Sequence, residues 1–195
     1  NVCALDFDLE APGLHYKFGN QLKESNIQKG LVDYIHYFVV NKEMPQSLAD
    51  FSLEIHPGSA GEGRIRLIPA GNVLSSEYWK KLALIDWHDL FYKEDSEGVP
   101  FFLELRERIR KEFNPDFVLI DSRTGITEMS GLCTSLLPDK VVFLMINNRE
   151  NIEGARQILR SIRAANRLEH GNIRVIFALA RIPLPYENHD EASIT

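Results

Sequence analysis

The chain has 195 residues, 44% hydrophobic and 26% charged, which suits a globular domain with one sizeable core and excludes a low-complexity or membrane-embedded class. A formal net charge of -6 argues against general affinity for nucleic-acid backbone, and no basic stripe stands out. Two cysteines, Cys3 and Cys133, lie in apolar runs with neither metal spacing nor a disulfide framework, and no stretch of about 18 apolar residues is present, so a reducing cytoplasm is the expected setting.

The opening run, Val2 to Asp8, predicts a buried strand that carries Asp6 and Asp8 at its C-terminal end, after which Pro12 and Gly13 shape a turn. Strand periodicity puts the two acids on one side. Gly30 to Val40 holds Leu31, Tyr34, Ile35, Phe38 and Val39 at helical spacing and predicts an amphipathic helix that ends near Met44 and Pro45. Ser52 to His56 and Arg64 to Pro69 read as short strands around a glycine-rich loop, paired as a hairpin or as neighbouring edge strands. Ser75 to Phe91 predicts one helix capped by Ser75 or Ser76. Pro100 to Phe113 predicts another, with Phe101, Phe102, Leu105, Ile109 and Phe113 on its apolar face. Its polar face pairs Glu104 with Arg108 and Glu107 with Lys111, and Asn114-Pro115 stops it.

A second acid-tipped strand runs from Asp116 to Asp121 and leads into Ser122, Arg123, Thr124 and Gly125. Thr127 to Leu137 reads as helical, with Cys133 as a small buried hydrophobe on it. Lys140 to Ile146 is a continuous apolar run, expected as a strand buried on both faces and followed by Asn147 and Asn148. Glu150 to Arg167 predicts a helix packed on the sheet with its arginines on a solvated face, and Ile173 to Leu179 predicts a last strand leading to Arg181. The alternation implies a single α/β domain over 1–195, a mostly parallel twisted sheet flanked by helices in a three-layer sandwich. Open α/β sheets bind ligands outside the carboxyl ends of their strands, so two acid-tipped strands point to a magnesium nucleotide site. The six histidines are scattered without ligand spacing and read as incidental.

The Asp-Phe-Asp strand, the Leu-Ile-Pro-Ala-Gly segment at Leu67 to Gly71 and the Val-Leu-Ile-Asp-Ser-Arg-Thr-Gly strand together resemble the deviant Walker A P-loop ATPases of the MinD/ParA group, in order and spacing along nearly the whole chain. In that group a phosphate loop of the form K-G-G-x-G-K-[ST] precedes the Asp-x-Asp strand. The 195 residues contain none, and the chain is expected to be such a domain lacking its N-terminal phosphate loop.

The resemblance implies an ATP-binding, magnesium-dependent ATPase that hydrolyses slowly and acts as a nucleotide-controlled switch within a larger protein, as a nucleotide-dependent homodimer or through a partner. It implies that Asp121 holds magnesium through a bound water, that Asp6 shares the hydration shell, and that Asp8 orients the attacking water. Positioning and charge stabilisation suffice for phosphoryl transfer to water. Gly125 lets the backbone approach a γ-phosphate. Ser122 and Thr124 reach metal water or phosphate, or else bond local backbone as turn hydroxyls do. Arg123 stabilises phosphate charge or forms a surface ion pair. Asn147, Asn148 and Arg181 follow the last two strands, where loops of the group hold adenine, although Asn at a strand end is first a turn residue. Alternatives are a non-hydrolysing scaffold of the same fold, which has no need of clustered acids, and a bacterial tyrosine-kinase-like domain, for which no tyrosine-rich tail is present. An iron–sulfur partner protein would need two well-placed cysteines, and Cys3 is inside the opening strand.

Overall fold

The opening strand sits at the centre of its sheet because it is apolar on both sides. In the computed structural model, which describes residues 1–19, 21–56, 63–122, 131–168 and 173–180, that strand is β1 (Val2–Asp6). The chain divides into two compact units, Asn1–Pro138 and Asp139–Thr195.

In the first unit, β2 (Leu53–Ile55), β3 (Ile65–Ile68) and β4 (Phe117–Asp121) join β1 in the order β2-β3-β1-β4. β1 runs parallel to β3 and β4, while β2 is antiparallel to β3, so the two short runs do pair with each other. The mostly parallel sheet is flanked by helices α1 (Leu31–Asn41), α2 (Ser76–Leu84), α3 (Trp87–Tyr92) and α4 (Gly98–Phe113). Cys3, Leu5 and Phe7 join one hydrophobic cluster and Ala4 another, the two-residue alternation that covering both faces of a sheet produces. On the larger side Phe38 stacks on Phe101 at 4.3 Å, and Phe7 meets Phe102 at 6.0 Å. Burying each such side chain contributes roughly 1.5–3 kcal/mol.

Three local departures from the sequence pattern have identifiable causes. β1 stops at Asp6 rather than Asp8, because the Asp6 carboxylate captures backbone N–H groups of the following loop. The helix expected over Ser75 to Phe91 is two helices. Ser75 caps α2 by accepting from Glu77 N–H, Ile85 is extended, and Asp86 restarts the chain by accepting from Asp89 N–H at 2.9 Å. On α4, Glu104 pairs with Arg108 as the spacing predicts, whereas Glu107 takes Arg110, three residues on. Only Leu132–Leu136 of the helix expected over Thr127 to Leu137 forms described regular structure, a π-helical turn.

In the second unit, β5 (Lys140–Met145) and β6 (Arg174–Leu179) pair in parallel, with α5 (Arg149–Leu168) between them in sequence. The expectation that β5 is buried on both faces does not hold. Val141 is buried, but Val142 and Leu144 are exposed, since one helix crossing over a two-stranded sheet covers a single face. Among the described residues, no helix is long and apolar enough to cross a membrane.

Candidate functional site

Parallel pairing sets the geometry of the acids. β1 and β4 run in register, with Leu5 opposite Ile120 and Asp6 opposite Asp121, so both strands end at the same level. One further bond, from Phe7 N–H to the Asp121 carbonyl at 2.8 Å, carries the pairing past the acids. Two carboxylates thus leave neighbouring strands at the carboxyl edge of the sheet, where α/β folds place ligands.

Their surroundings differ. Asp6 is fully buried, yet both of its oxygens have partners: Oδ1 accepts from Asp8 N–H at 3.3 Å and Oδ2 from Leu14 N–H at 3.1 Å. Asp8 repeats the device one step on, accepting from Ala11 N–H at 3.3 Å. The loop from Phe7 to Leu14 is therefore wrapped around its own acids. Burial pushes the Asp6 carboxyl up to about 6, and the Asp121 charge adds to that, while the two backbone bonds and His15 oppose it. Asp121 is exposed. Its carboxyl is also raised from the ordinary value, by partial desolvation and then by the Asp8 charge, with Lys17 pulling it back. The acids brought together are those the sequence singles out: Asp6, Asp8 and Asp121.

The donor chemistry suits magnesium, although the oxygens of the three acids do not all lie within 4.8 Å of one another. All three groups are hard carboxylate oxygens, and magnesium takes one or two carboxylates while keeping several waters. The upward shifts of Asp6 and Asp121 come first from desolvation, and the neighbouring carboxylates add a smaller part. Asp121, which is exposed at the strand end, is better placed to receive the ion than Asp6, whose oxygens already hold the loop.

Ser122 follows Asp121 and its side chain hydrogen-bonds the Cys133 thiol. Cys133 is buried as expected, and burial pushes its thiol up to about 12. Arg123, Thr124, Gly125 and Arg181 lie outside the described residues. Asn147 and Asn148 belong to the second unit. There Asn148 caps α5, its Oδ1 accepting from Asn151 N–H at 2.8 Å.

Three residues near the acids escape sequence reasoning. Lys17 lies in a 3₁₀ turn, Leu14–Phe18, that folds its ammonium back toward Asp121. His15 in the same turn is 3% exposed and lies close enough to influence Asp6; its Nε2 stands 3.6 Å from Glu24 Oε1. Its burial is not announced by its spacing in the sequence. Tyr78 on α2 donates from its buried hydroxyl to the Leu9 carbonyl at 2.6 Å. Tyr78 falls within the helix expected over Ser75 to Phe91, but no local pattern announces which backbone atom it meets.

No protein-family profile and no curated protein sequence matches the chain. Solved structures do. A plasmid partition protein from Borrelia burgdorferi superposes with a TM-score of 0.61 at 12% identity, over 98% of this chain and 70% of that one. Cobyrinic acid a,c-diamide synthase from Mycobacterium smegmatis gives a TM-score of 0.60 at 14% identity, over 93% and 64% of the two chains. The same synthase with a bound ATP analog and magnesium gives 0.57. The chimerical protein CapA2B2 gives 0.51 at 16% identity, over 94% and 63%. The chain thus spans between 63% and 70% of the length of these structures. With a mostly parallel sheet, flanking helices and these neighbours, the chain has the fold of the MinD/ParA-like P-loop NTPases.

Proposed function

We propose that the protein, together with a phosphate loop that these 195 residues do not contain, binds ATP with magnesium and hydrolyses it slowly, its nucleotide state controlling dimerisation or a partner. The observation that carries this reading is the in-register placement of Asp6 and Asp121 on neighbouring parallel strands, with Asp8 two residues beyond. Carboxylates gathered at the carboxyl edge of a parallel sheet serve no packing purpose, and a cation site uses them.

In this reading Asp121 holds magnesium, which would neutralise phosphate charge when bound. Asp8, placed by its neighbours rather than by strand pairing, orients water toward the phosphate. Asp6 holds the loop that presents Asp8. Lys17 contributes positive charge beside Asp121. The 195 residues alone bind nucleotide poorly, since the backbone N–H cradle and lysine that take up most phosphate charge are not among them.

The test is calorimetry of magnesium-dependent ATP binding on the protein extended upstream to its natural start, with the 195-residue chain as control. Binding by the longer protein only is the expected result. Asp121→Ala then weakens magnesium-dependent binding roughly 10- to 100-fold. Asp8→Ala leaves affinity nearly intact and lowers the hydrolysis rate on the order of 100-fold. If neither length binds nucleotide, the scaffold reading of the fold replaces this one.

A further inference from the structure

Tyr78 joins three elements at one point. It lies buried on α2, and its hydroxyl bonds the carbonyl of Leu9, the residue directly after Asp8. Burial makes loss of the phenolic proton harder, and the nearby Asp6, Asp33 and Asp8 add to it. The hydroxyl therefore remains a donor at neutral pH. Its ring rests on Gly71, the last residue of the Leu67 to Gly71 segment. A Cβ at Gly71 would stand 2.8 Å from Tyr78 Cδ2, and Gly71 has φ +150°, a conformation that favours glycine.

The same helix is anchored a second time. Lys81 follows Tyr78 by three residues, on the same helix face, and its Nζ pairs with Asp33 Oδ1 at 2.6 Å. Asp33 Oδ2 in turn accepts from Gly30 N–H at 3.0 Å, at the start of α1. α2 is thus fixed to the acid loop through Tyr78 and to α1 through Lys81. Next to Tyr78, Trp79 meets its ring edge-on at a centroid distance of 5.1 Å and donates its indole N–H to the Val73 carbonyl at 3.1 Å. Trp79 is about half exposed, so the contact chain runs from the acid loop through a buried bond to the surface of α2.

We propose that Tyr78 is a positioning residue which holds the Asp8-bearing loop in its working geometry and carries that loop's ligand state to the outer surface of α2 at Trp79. The proposal rests on the nucleotide reading above for its ligand, but not for the clamp itself. Its physical basis is that a buried O–H···O=C bond has no water to replace it when broken. Loop and helix then move together, and a ligand that draws Asp8 toward itself draws on the Leu9 carbonyl and, through it, on α2. A tyrosine present only to fill the core would do none of this: its ring would suffice.

Tyr78→Phe keeps the ring and removes only the hydroxyl, so it tests that distinction. The upstream-extended protein is prepared with Trp87 replaced by Phe, with and without Tyr78→Phe, alongside a Trp79→Phe control that isolates the Trp79 emission. Three quantities are measured: amide hydrogen exchange over residues 9 to 14, the change in Trp79 emission on adding magnesium and ATP, and affinity against hydrolysis rate. In Tyr78→Phe the expected results are exchange roughly tenfold faster over 9 to 14, loss of the emission change, affinity kept within about threefold, and hydrolysis lowered about tenfold. Gly71→Ala, which displaces the ring while keeping the hydroxyl, gives the same pattern. If the parent protein binds nucleotide and Tyr78→Phe matches it in exchange, emission and rate, the proposal is overturned and the nucleotide reading stands. If the parent protein binds no nucleotide, that reading and the relay both fall. Exchange over 9 to 14 then decides the clamp, which faster exchange in Tyr78→Phe supports and unchanged exchange overturns.

Discussion

Asp6 and Asp121 face each other across two paired strands at the same level of the sheet, yet their environments are opposite. Asp6 is sealed, with both oxygens on backbone N–H groups and a carboxyl pushed up to about 6. Asp121 is open to solvent, raised only modestly, and balanced by Lys17. The difference teaches that two acids at equivalent register positions divide the work. The buried one shapes the loop that carries Asp8, and in the proposed function the exposed one meets the ligand. The β1 side of the site is accordingly rigid and intolerant of change, and the β4 side tolerant.

That asymmetry can be broken most forcefully at Gly30. Carbonyls at the end of β3 accept from the first amides of α1, Pro69 from Leu31 at 2.8 Å and Ala70 from Val32 at 2.9 Å. A Cβ on Gly30 would stand 2.2 Å from the Pro69 carbonyl oxygen, which is backbone and cannot swing away. Gly30→Ala should therefore destabilise by about 3 kcal/mol or more in urea unfolding. A cost below about 1 kcal/mol would show that the packing of α1 on the end of β3 yields after all.

Next in size is the pH dependence that Asp6 imposes. Its folded value of about 6 lies above the ordinary 3.8, so the folded state binds this proton more tightly than the unfolded chain. The resulting stabilisation is complete below about pH 4 and is lost as pH rises through 6, in all about 3 kcal/mol. Urea unfolding of the wild type and Asp6→Ala from pH 4 to pH 7, without magnesium, isolates it: wild type loses its advantage as pH rises. Parallel profiles would mean that Asp6 is not strained by burial. The smallest effect is expected at Asp121, where Ala should change stability by no more than about 0.5 kcal/mol at pH 7, as at other solvent-facing positions. A larger loss would assign Asp121 a structural duty like that of Asp6.

Much of the first unit is legible in the sequence because its elements obey the two simple periods. Leu31, Tyr34, Ile35 and Phe38 announce α1, and Phe101, Phe102, Leu105 and Ile109 announce α4, since those side chains have one face to bury. Asp6, Asp8 and Asp121 could be singled out because each follows an apolar run at a strand end. What stayed hidden depends on atoms brought together by folding. The division of α2 from α3 rests on the side chain of Asp86 taking one amide three residues on, a choice that competes locally with helix continuation. The early end of β1 rests on the Asp6 carboxylate reaching Leu14, eight residues away. Lys17, His15 and Tyr78 approach the acids through turns and packing that no spacing rule encodes. The reading of β5 as doubly buried failed because an apolar run reports what a strand tolerates, not how many layers cover it.

The edge position of β4 has a practical consequence for handling the protein. In the described sheet it is one of the two edge strands, and Phe117 and Leu119, which share one of its faces, are 68% and 59% exposed. An uncovered apolar edge is a template for pairing between molecules. The 195-residue chain expressed by itself should therefore self-associate as its concentration rises, visible as growing light scattering, and Phe117→Lys should delay it. Colloidal behaviour, rather than fold stability, would then limit the concentration at which this chain can be studied.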